Sequence, residues 1–397
     1  MQEDIKGAFA AAFGVSLVRG DILYRLQRRI GLIPPDGPGI GRRALFWSLF
    51  AWLPIALWAW YAGRALPPAA QEPLLAHFGI HVRFLVAVPL LIVAEGLAHG
   101  LTTKLLPYFV QSGMVPEAEV PRFRETLAGI VKLRGATMPW VGILALIVAF
   151  LTVSDIIHES HEIIWATGGD AGVLHLGFGA LWFLYVGRLI YLTLLLSWLW
   201  RIVLMLLLFR GIAKLDLAIV PTHPDRAGGL GFLEPFPKAF APVALAAGAV
   251  LASRMAHDVL YHGVSVHSLR LPMIAFVVTA VVVSLSPLLV FAGPLVKARK
   301  QALLDYGALV SRHGRLVSER WIAGIDVKDD AILNAPELGP VADTVSLYEA
   351  VKRVRTVPLG KASVAPILLA AVAPMIVVLA IQVPIKNILA VLLKALF

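Results

Sequence analysis

The sequence has 397 residues, of which 59% are hydrophobic and only 15% are charged, and its mean hydropathy is +0.81. A soluble domain carries roughly a quarter charged residues, so the composition excludes an ordinary soluble globular protein. The absence of cysteine excludes disulfides and thiolate metal sites. The formal net charge of +10 does not indicate nucleic-acid binding, because the basic residues fall in loops on one predicted side of a membrane.

The segment 1–43 predicts a short surface helix rather than a signal peptide. It lacks a basic stretch followed by an apolar core of about 7–15 residues and a small-residue cleavage site. Asp21 has the residue type of an N-cap, and Gly31 followed by two prolines ends the helix. The apolar face holds Ile22, Leu23, Leu26 and Ile30, and the basic face holds Arg25, Arg28 and Arg29. Such a basic amphipathic helix is typical of a membrane surface.

Seven apolar runs are long enough to cross a bilayer, which takes about 20 helical residues. They lie at about 44–63, 84–104, 137–157, 177–209, 239–260, 271–296 and 363–383. Between the second and third runs, the segment 117–135 places apolar residues at helical spacing and predicts an interfacial helix. The sequence therefore predicts an all-α, polytopic transmembrane helical bundle of about seven spans, with interfacial amphipathic helices.

The predicted organisation has four parts. A cytoplasmic or interfacial segment, 1–43, precedes a six-span region, 44–296, which includes a cytoplasmic loop at 210–238. A cytoplasmic helical region, 297–362, is expected to continue the sixth span through Arg320 and to contain a second helix around Val345–Arg355. The seventh span and a C-terminal tail occupy 363–397, and no internal repeat is expected.

The distribution of lysine and arginine predicts the orientation. With the N-terminus inside, the inside segments hold 28 basic residues and the outside segments hold five. The positive-inside rule then places the N-terminus in the cytoplasm and the C-terminus outside.

Eight of the eleven histidines fall at the predicted outer surface, together with several acidic residues. Imidazole and carboxylate groups suit Zn²⁺ or a related divalent cation, and imidazole alone would serve as a proton sensor. The candidate metal ligands are His158, His161, Glu162, His257 and Asp258. The alternative is that these residues only supply polar character to interfacial loops, since the string DIIHESHE lacks the HExxH spacing.

Ionisable residues also fall inside predicted spans, where they are costly and tend to face the bundle interior. Glu95 and His99 share a helix face at i,i+4 spacing, and by depth Glu95 could pair with Arg188. Arg254 is a second intramembrane arginine, near Asp155 by depth and at i,i+4 spacing from Asp258. Two interpretations stay open: satisfied ion pairs that fix helix register, or a polar track for an ion through Glu95, His99, Arg188 and Arg254.

The phrase PTHPDRAGGLGFL, 221–233, separates the fourth and fifth spans on the predicted cytoplasmic side. It is not a nucleotide motif, because no lysine followed by Ser or Thr comes after the glycines and no GxGxxG is present. Asp225 can cap exposed amides, and the glycines permit left-handed backbone. His223, Asp225 and Arg226 are its candidate functional residues. The phrase predicts a structured connector, with a gate or a phosphate-binding nest as the alternative.

The phrase THPDRAGGLGFL resembles one found in uncharacterised bacterial multi-pass membrane proteins. The later phrase RVRTVPLG, which leads into a proline-containing final span, is similar to the C-terminal ends of the same group. The resemblance covers about the second half of the chain. It implies a multi-pass architecture and a bacterial inner-membrane location, and it carries no catalytic roles.

Two functions are consistent with these features. The first is a channel or transporter for a small ion that uses the intramembrane charges. The second is a sensor or scaffold whose outer histidines respond to metal or pH while 297–362 engages a cytoplasmic partner. No nucleophile and base stand together in the sequence, so an enzyme is not expected. The expected partners are the lipid bilayer, a small ion and a second copy of the chain, with no nucleic acid and no cofactor other than a divalent metal such as Zn²⁺.

Overall fold

The computed structural model describes residues 13–34, 37–66, 73–157, 165, 167–168, 175–325 and 339–382. Almost all regular structure in these residues is helical, and the described strands are one antiparallel pair of two residues each, Thr167–Gly168 and His175–Leu176. The predicted all-α class is confirmed.

In the described part of the first half of the chain, five long helices form and a sixth begins. Their bounds are α1 Ile22–Arg29, α2 Ile40–Tyr61, α3 Phe78–Gln111, α4 Val120–Gly135, α5 Met138–Ile157 and α6 Phe178–Ile212. Asp21 caps α1 as predicted, because its Oδ1 accepts a hydrogen bond from the Tyr24 backbone N–H at 2.6 Å. The predicted interfacial helix corresponds to α4, which packs on α6 through buried Phe123, Leu127 and Ile130.

The second half forms five further helices. They are α7 Ala241–Tyr261, α8 Arg270–Leu289, α9 Ala292–Val317, α10 Gly339–Lys352 and α11 Lys361–Gln382. The predicted sixth span at 271–296 is too long, because the helix ends at Leu289 and restarts at Ala292. Beyond that break, α9 and its terminal π-helical turn run through Ile322, close to the predicted end, and α10 packs against α9.

Among the described residues, six helical segments are long and apolar enough to cross a membrane, and a seventh is added if α4 and α5, bent by 43°, count together as one broken span. No spanning window is more than 56% buried inside the protein. The outward-facing remainder is apolar, with exposed Leu57 on α2, Val278 on α8 and Leu369 on α11. An apolar exterior of this extent needs lipid around it, so the chain is a multi-pass integral membrane protein.

Helices α3 and α6 share one plan, which the sequence did not reveal as a repeat. Each begins with four α-helical residues, the first two of which are Phe-Gly. Each then continues through a six-residue π-helical segment and runs on as a long α-helix. The two π-helical segments meet, since the ring of Phe84 contacts the ring of Phe183 and lies against Gly187. A π-helical turn widens the helix and often marks a functional position.

The two ends of the bundle carry different elements. The loop face carries α1, the loop 213–230, α9 and α10, and it is the face predicted to be cytoplasmic. The histidine face is the opposite end and carries His77, His81, His257 and His262.

Candidate functional site

Residues 13–21, which precede α1, are packed inside the bundle at the loop face rather than lying on its surface. Phe13, Leu17 and Val18 are almost completely buried in the main hydrophobic core. The Asp21 carboxylate follows them inward, and its Oδ2 lies 2.8 Å from Nη2 of Arg201 in α6. Asp21 therefore both caps α1 and forms a buried ion pair with Arg201.

Glu95 is the centre of this buried cluster. Its Oε1 lies 2.8 Å from Nη2 of Arg201, and its Oε2 pairs with Nη2 of Arg43. The Nε of Arg43 also donates a hydrogen bond to Oε1 of Gln27. We call Asp21, Gln27, Arg43, Glu95 and Arg201 the ion-pair network. It joins the N-terminal segment to α2, α3 and α6, and none of its members is more than 3% exposed.

The ion-pair network balances two carboxylates against two guanidinium groups, yet several of its hydrogen-bond donors have no acceptor. Among the described residues, Nε and Nη1 of Arg201 and Nε2 of Gln27 have no hydrogen-bond acceptor. The Arg201 guanidinium also lies over the Trp198 ring, 5.0 Å from its centroid. Buried donors without acceptors are uncommon and costly, which singles out this cluster as a candidate binding position.

The network contains only one of the four residues predicted for the intramembrane polar track. Depth suggested Arg188 as the partner of Glu95, but the arginines that the structure brings to Glu95 are Arg43 and Arg201. Arg188 is itself buried and begins the α-helical run that follows the π-helical segment of α6. His99 is half-buried one turn beyond Glu95, and Arg254 is exposed on α7. The side chain of Asp155, its suggested partner, lies outside the described part.

Sequence reasoning missed Asp21, Gln27, Arg43 and Arg201 as members of a site. Arg43 and Arg201 were counted as cytoplasmic loop charges, because each stands near an end assigned to an apolar run. Arg201 is in fact enclosed in α6, which extends to Ile212. The available signal was the apolar sequence on both sides of Arg201, WLWRIVLM, where a charge must be paired.

The 221–233 phrase forms a tight loop organised by the carboxylate of Asp225. Its Oδ1 accepts hydrogen bonds from the N–H groups of Ala227 at 2.8 Å and Gly229 at 3.2 Å, and its Oδ2 accepts one from Gly231 at 2.7 Å. Burial acts to raise the pKa of Asp225, but these three N–H groups, with a smaller contribution from His223, bring that pKa below its usual value.

His223 and Arg226 complete the loop. Nδ1 of His223 lies 2.9 Å from Oδ1 of Asp225 and 3.3 Å from the Asp225 backbone N, and the ring is about half exposed. Arg226 has a φ of 56°, which is a strained backbone conformation for a residue with a side chain. The three predicted loop residues are thus brought together. Most of the hydrogen bonds that the Asp225 carboxylate accepts come from the loop's own N–H groups.

Arg355 fastens this loop to the phrase RVRTVPLG. Its Nη2 donates to the Asp225 backbone carbonyl at 3.0 Å, and its Nη1 donates to Oε1 of Glu234 at 2.6 Å and to the Leu359 carbonyl at 2.7 Å. Its backbone N–H donates to the Arg226 carbonyl at 2.8 Å. The two phrases that carry the family resemblance therefore form a single structural unit at the loop face, beside a cavity of about 200 Å³.

Of the predicted metal ligands, His257 and Asp258 lie within the described residues, and the histidine face packs His257 against two other histidines. The rings of His77 and His257 stack with centroids 5.1 Å apart, and the His262 ring lies 5.3 Å from that of His257. Asp258 contributes its backbone carbonyl, which accepts hydrogen bonds from His262 and Val264. Within the described residues, no three His, Asp or Glu side chains are placed to hold a metal ion. His158, His161 and Glu162 lie outside the described residues.

Comparison with protein-family models, with curated proteins and with solved structures finds no match to this chain. The resemblance carried by THPDRAGGLGFL accordingly stays a prediction.

Proposed function

We propose that the protein transports a small ion across a bacterial inner membrane, with its N-terminus in the cytoplasm, and that the ion-pair network is the gate on the loop face. The observation that carries this proposal is the connection from Asp21 through Arg201 and Glu95 to Arg43. These contacts hold residues 13–21 inside the bundle at the loop face, and in this proposal those residues close the route from that face to Glu95.

The chemistry of the network supports gating. Ion pairs in a low-dielectric interior are costly to separate singly, but partners can exchange when another charge or a hydrated ion takes the place of one of them. The spare groups on Arg201 and Gln27 are N–H donors, whereas Oε1 of Glu95, which makes no hydrogen bond of good geometry, already lies 2.8 Å from Nη2 of Arg201. The spare donors outnumber this acceptor and would coordinate an anion without any deprotonation, which favours an anion over a cation as the transported species.

The test is ion flux through purified protein in proteoliposomes. Chloride and protons are the probes, followed with a chloride electrode and an entrapped pH dye. We expect wild-type protein to pass at least one probe faster than protein-free vesicles, and Glu95→Gln to change that rate because it removes the charge shared by Arg43 and Arg201.

The matched control is Glu119→Gln, since Glu119 forms an exposed i,i+3 pair with Arg122 at 2.9 Å. This control should keep the wild-type rate. No wild-type flux for either probe, or the same flux in Glu95→Gln as in the wild type, would contradict the proposal.

We propose sensing at the histidine face as the second candidate function, because His77, His257 and His262 form a continuous row of ring contacts. Imidazole is the side chain that proteins use both as a proton sensor and as a ligand for divalent metals. Metal binding by His257 and Asp258 with His158, His161 and Glu162 is the variant of this proposal that involves Zn²⁺. Calorimetric titration with zinc tests it, with the double variant His158→Ala/His161→Ala expected to lose binding. No heat in the wild type would count against a metal sensor.

A further inference from the structure

A half-open cavity of about 490 Å³ lies on the loop face between α1 and the start of α2. Its volume is within the range of small-ligand sites, roughly 300–1,000 Å³. The described lining includes Arg19, Gly20, Tyr24, Arg25, Arg28 and Ile33. This cavity adjoins the ion-pair network, since the Arg43 guanidinium lies 5.9 Å from the centroid of the Tyr24 ring, but no member of the network is among its described lining residues.

The described lining of the cavity carries only positive charge. Three guanidinium groups line it, and its described lining contains no carboxylate. Arg19 and Arg28 make no hydrogen bond or ion pair through their guanidinium groups with any other part of the chain that the structure describes. Asp21, next to Gly20, is turned inward to Arg201 and to the Tyr24 N–H, and Asp36, between the lining residues Pro34 and Gly37, lies outside the described residues. Within the described lining, the guanidinium groups of Arg19 and Arg28 therefore remain available to a ligand.

The backbone holds this arrangement in place. Gly20 has a φ of +101°, and a Cβ there would lie 2.8 Å from Nη2 of Arg134, so the turn between Arg19 and Asp21 fits only glycine. Arg134 in turn donates to the Ser16 carbonyl. Arg25 is oriented by a hydrogen bond from its Nη2 to the Gly135 carbonyl at 3.2 Å.

We propose that this cavity binds a phosphate-bearing anion. The planar fork of an arginine guanidinium matches two phosphate oxygens, and a cluster of arginines is the usual means of holding a phosphate group. Tyr24 and Ile33 add an aromatic and an apolar surface beside the charges. This inference does not depend on ion transport, because it concerns binding at a different position.

Two sources can supply this chemistry: the headgroup of an anionic phospholipid, or a soluble phosphorylated molecule. The exposed Leu26 and Ile30 lie on the same helix as Arg25 and Arg28 and give α1 an apolar surface for a bilayer. The shared chemistry is the phosphate group, and the experiment separates the sources.

The test uses the full-length protein and three probes: nanodiscs of phosphatidylglycerol, nanodiscs of phosphatidylcholine, and inorganic phosphate added to protein in neutral detergent. Binding of phosphate is measured by calorimetry, and retention of phosphatidylglycerol by native mass spectrometry after extraction from the nanodiscs. The variant is Arg19→Gln/Arg28→Gln. The control is Arg29→Gln, which neutralises an exposed arginine on the same helix that is not among the described lining residues.

We expect saturable binding that weakens about tenfold or more in the double variant and is kept in the control, since each lost arginine removes hydrogen bonds to a charged group. Binding of inorganic phosphate identifies a soluble ligand, and retention of phosphatidylglycerol over phosphatidylcholine without phosphate binding identifies a lipid headgroup. The proposal is overturned if neither probe binds saturably, or if Arg29→Gln loses as much affinity as the double variant.

Discussion

The guanidinium of Arg355 donates a hydrogen bond to the backbone carbonyl of Asp225 at 3.0 Å, across a sequence separation of 130 residues. This contact joins the loop after α6 to the segment that leads into α11. Glu234 is held in the same unit, because its carboxylate accepts from Arg355 and its backbone carbonyl accepts from the Ser363 hydroxyl at 2.9 Å. This unit is therefore a second connection at the loop face, formed by residues other than those of the ion-pair network.

Replacement of Arg355 should loosen this unit. Arg355→Ala removes three side-chain hydrogen bonds and leaves the Glu234 carboxylate without its cation, so we expect a loss of about 1–3 kcal/mol in the free energy of unfolding. Thermal unfolding in detergent measures the change. Arg353→Ala, at an exposed position two residues earlier, should stay within about 0.5 kcal/mol of the wild type. Equal losses in the two variants would show that the contacts of Arg355 contribute nothing.

The lowered pKa of Asp225 predicts a pH dependence. A carboxyl group whose pKa is lower in the folded state adds stability above its unfolded pKa, near 3.8, and loses that stability as the pH falls through the folded value. We expect amide hydrogen exchange at Gly229 and Gly231, corrected for intrinsic rates, to show less protection below about pH 4. Asp225→Asn should lose the protection already at neutral pH, whereas Asp216→Asn, at an exposed position of the same loop, should not. Unchanged protection in Asp225→Asn would refute this role.

The ion-pair network predicts an order of stabilities. Arg201→Met leaves the buried Asp21 without its cation and Glu95 with Arg43 alone, and a broken buried pair costs about 3–5 kcal/mol. Asp21→Asn should cost less, because asparagine is an equally good N-cap and Arg201 keeps Glu95.

Unfolding at increasing mole fractions of dodecyl sulfate measures this order. Arg122→Met is the matched control, since its ion pair with Glu119 is exposed and should contribute at most about 1 kcal/mol. If Arg201→Met were as stable as Arg122→Met, the network would have no structural role.

The contact between the π-helical segments of α3 and α6 predicts a steric effect. A Cβ at Gly187 would meet Cζ of Phe84 well inside 3.0 Å, so Gly187→Ala should cost about 1–3 kcal/mol through overpacking. Gly142→Ala is the matched control in a helix, because nothing lies within 4 Å of its Cβ position. The control should be neutral or stabilising by up to about 1 kcal/mol. Thermal unfolding compares the two, and equal stability would mean that α3 and α6 separate readily.

The spans and the cap of α1 could be predicted because they depend on local sequence. An apolar run of sufficient length, or an aspartate before an amphipathic turn, carries its own signal, and Asp21 caps α1 as expected. The predicted sixth span runs over the break at Val290–Phe291 because the run stays apolar through it, although Pro287 and Pro294 stand on either side of the break.

The site could be predicted only in part, because its partners are distant in the chain. Glu95 was found since a carboxylate inside an apolar run is conspicuous. Its partners were not found, because a guanidinium side chain is long and an arginine near the end of a run can point either to water or into the bundle. Asp225 was likewise expected to cap amides, but no local pattern connects it to Arg355. Pairing across such separations is decided by helix packing.

The burial of the N-terminal segment also constrains how the protein is made. Asp21 leaves the ribosome 180 residues before its partner Arg201, and Ser16 leaves 118 residues before Arg134. At about 5–20 residues per second, the first of these intervals lasts roughly 10 to 35 s. During that time Phe13 can pack against Phe123 of α4, but Asp21 has no partner, so the docking of residues 13–21 is completed only after α6 has been inserted.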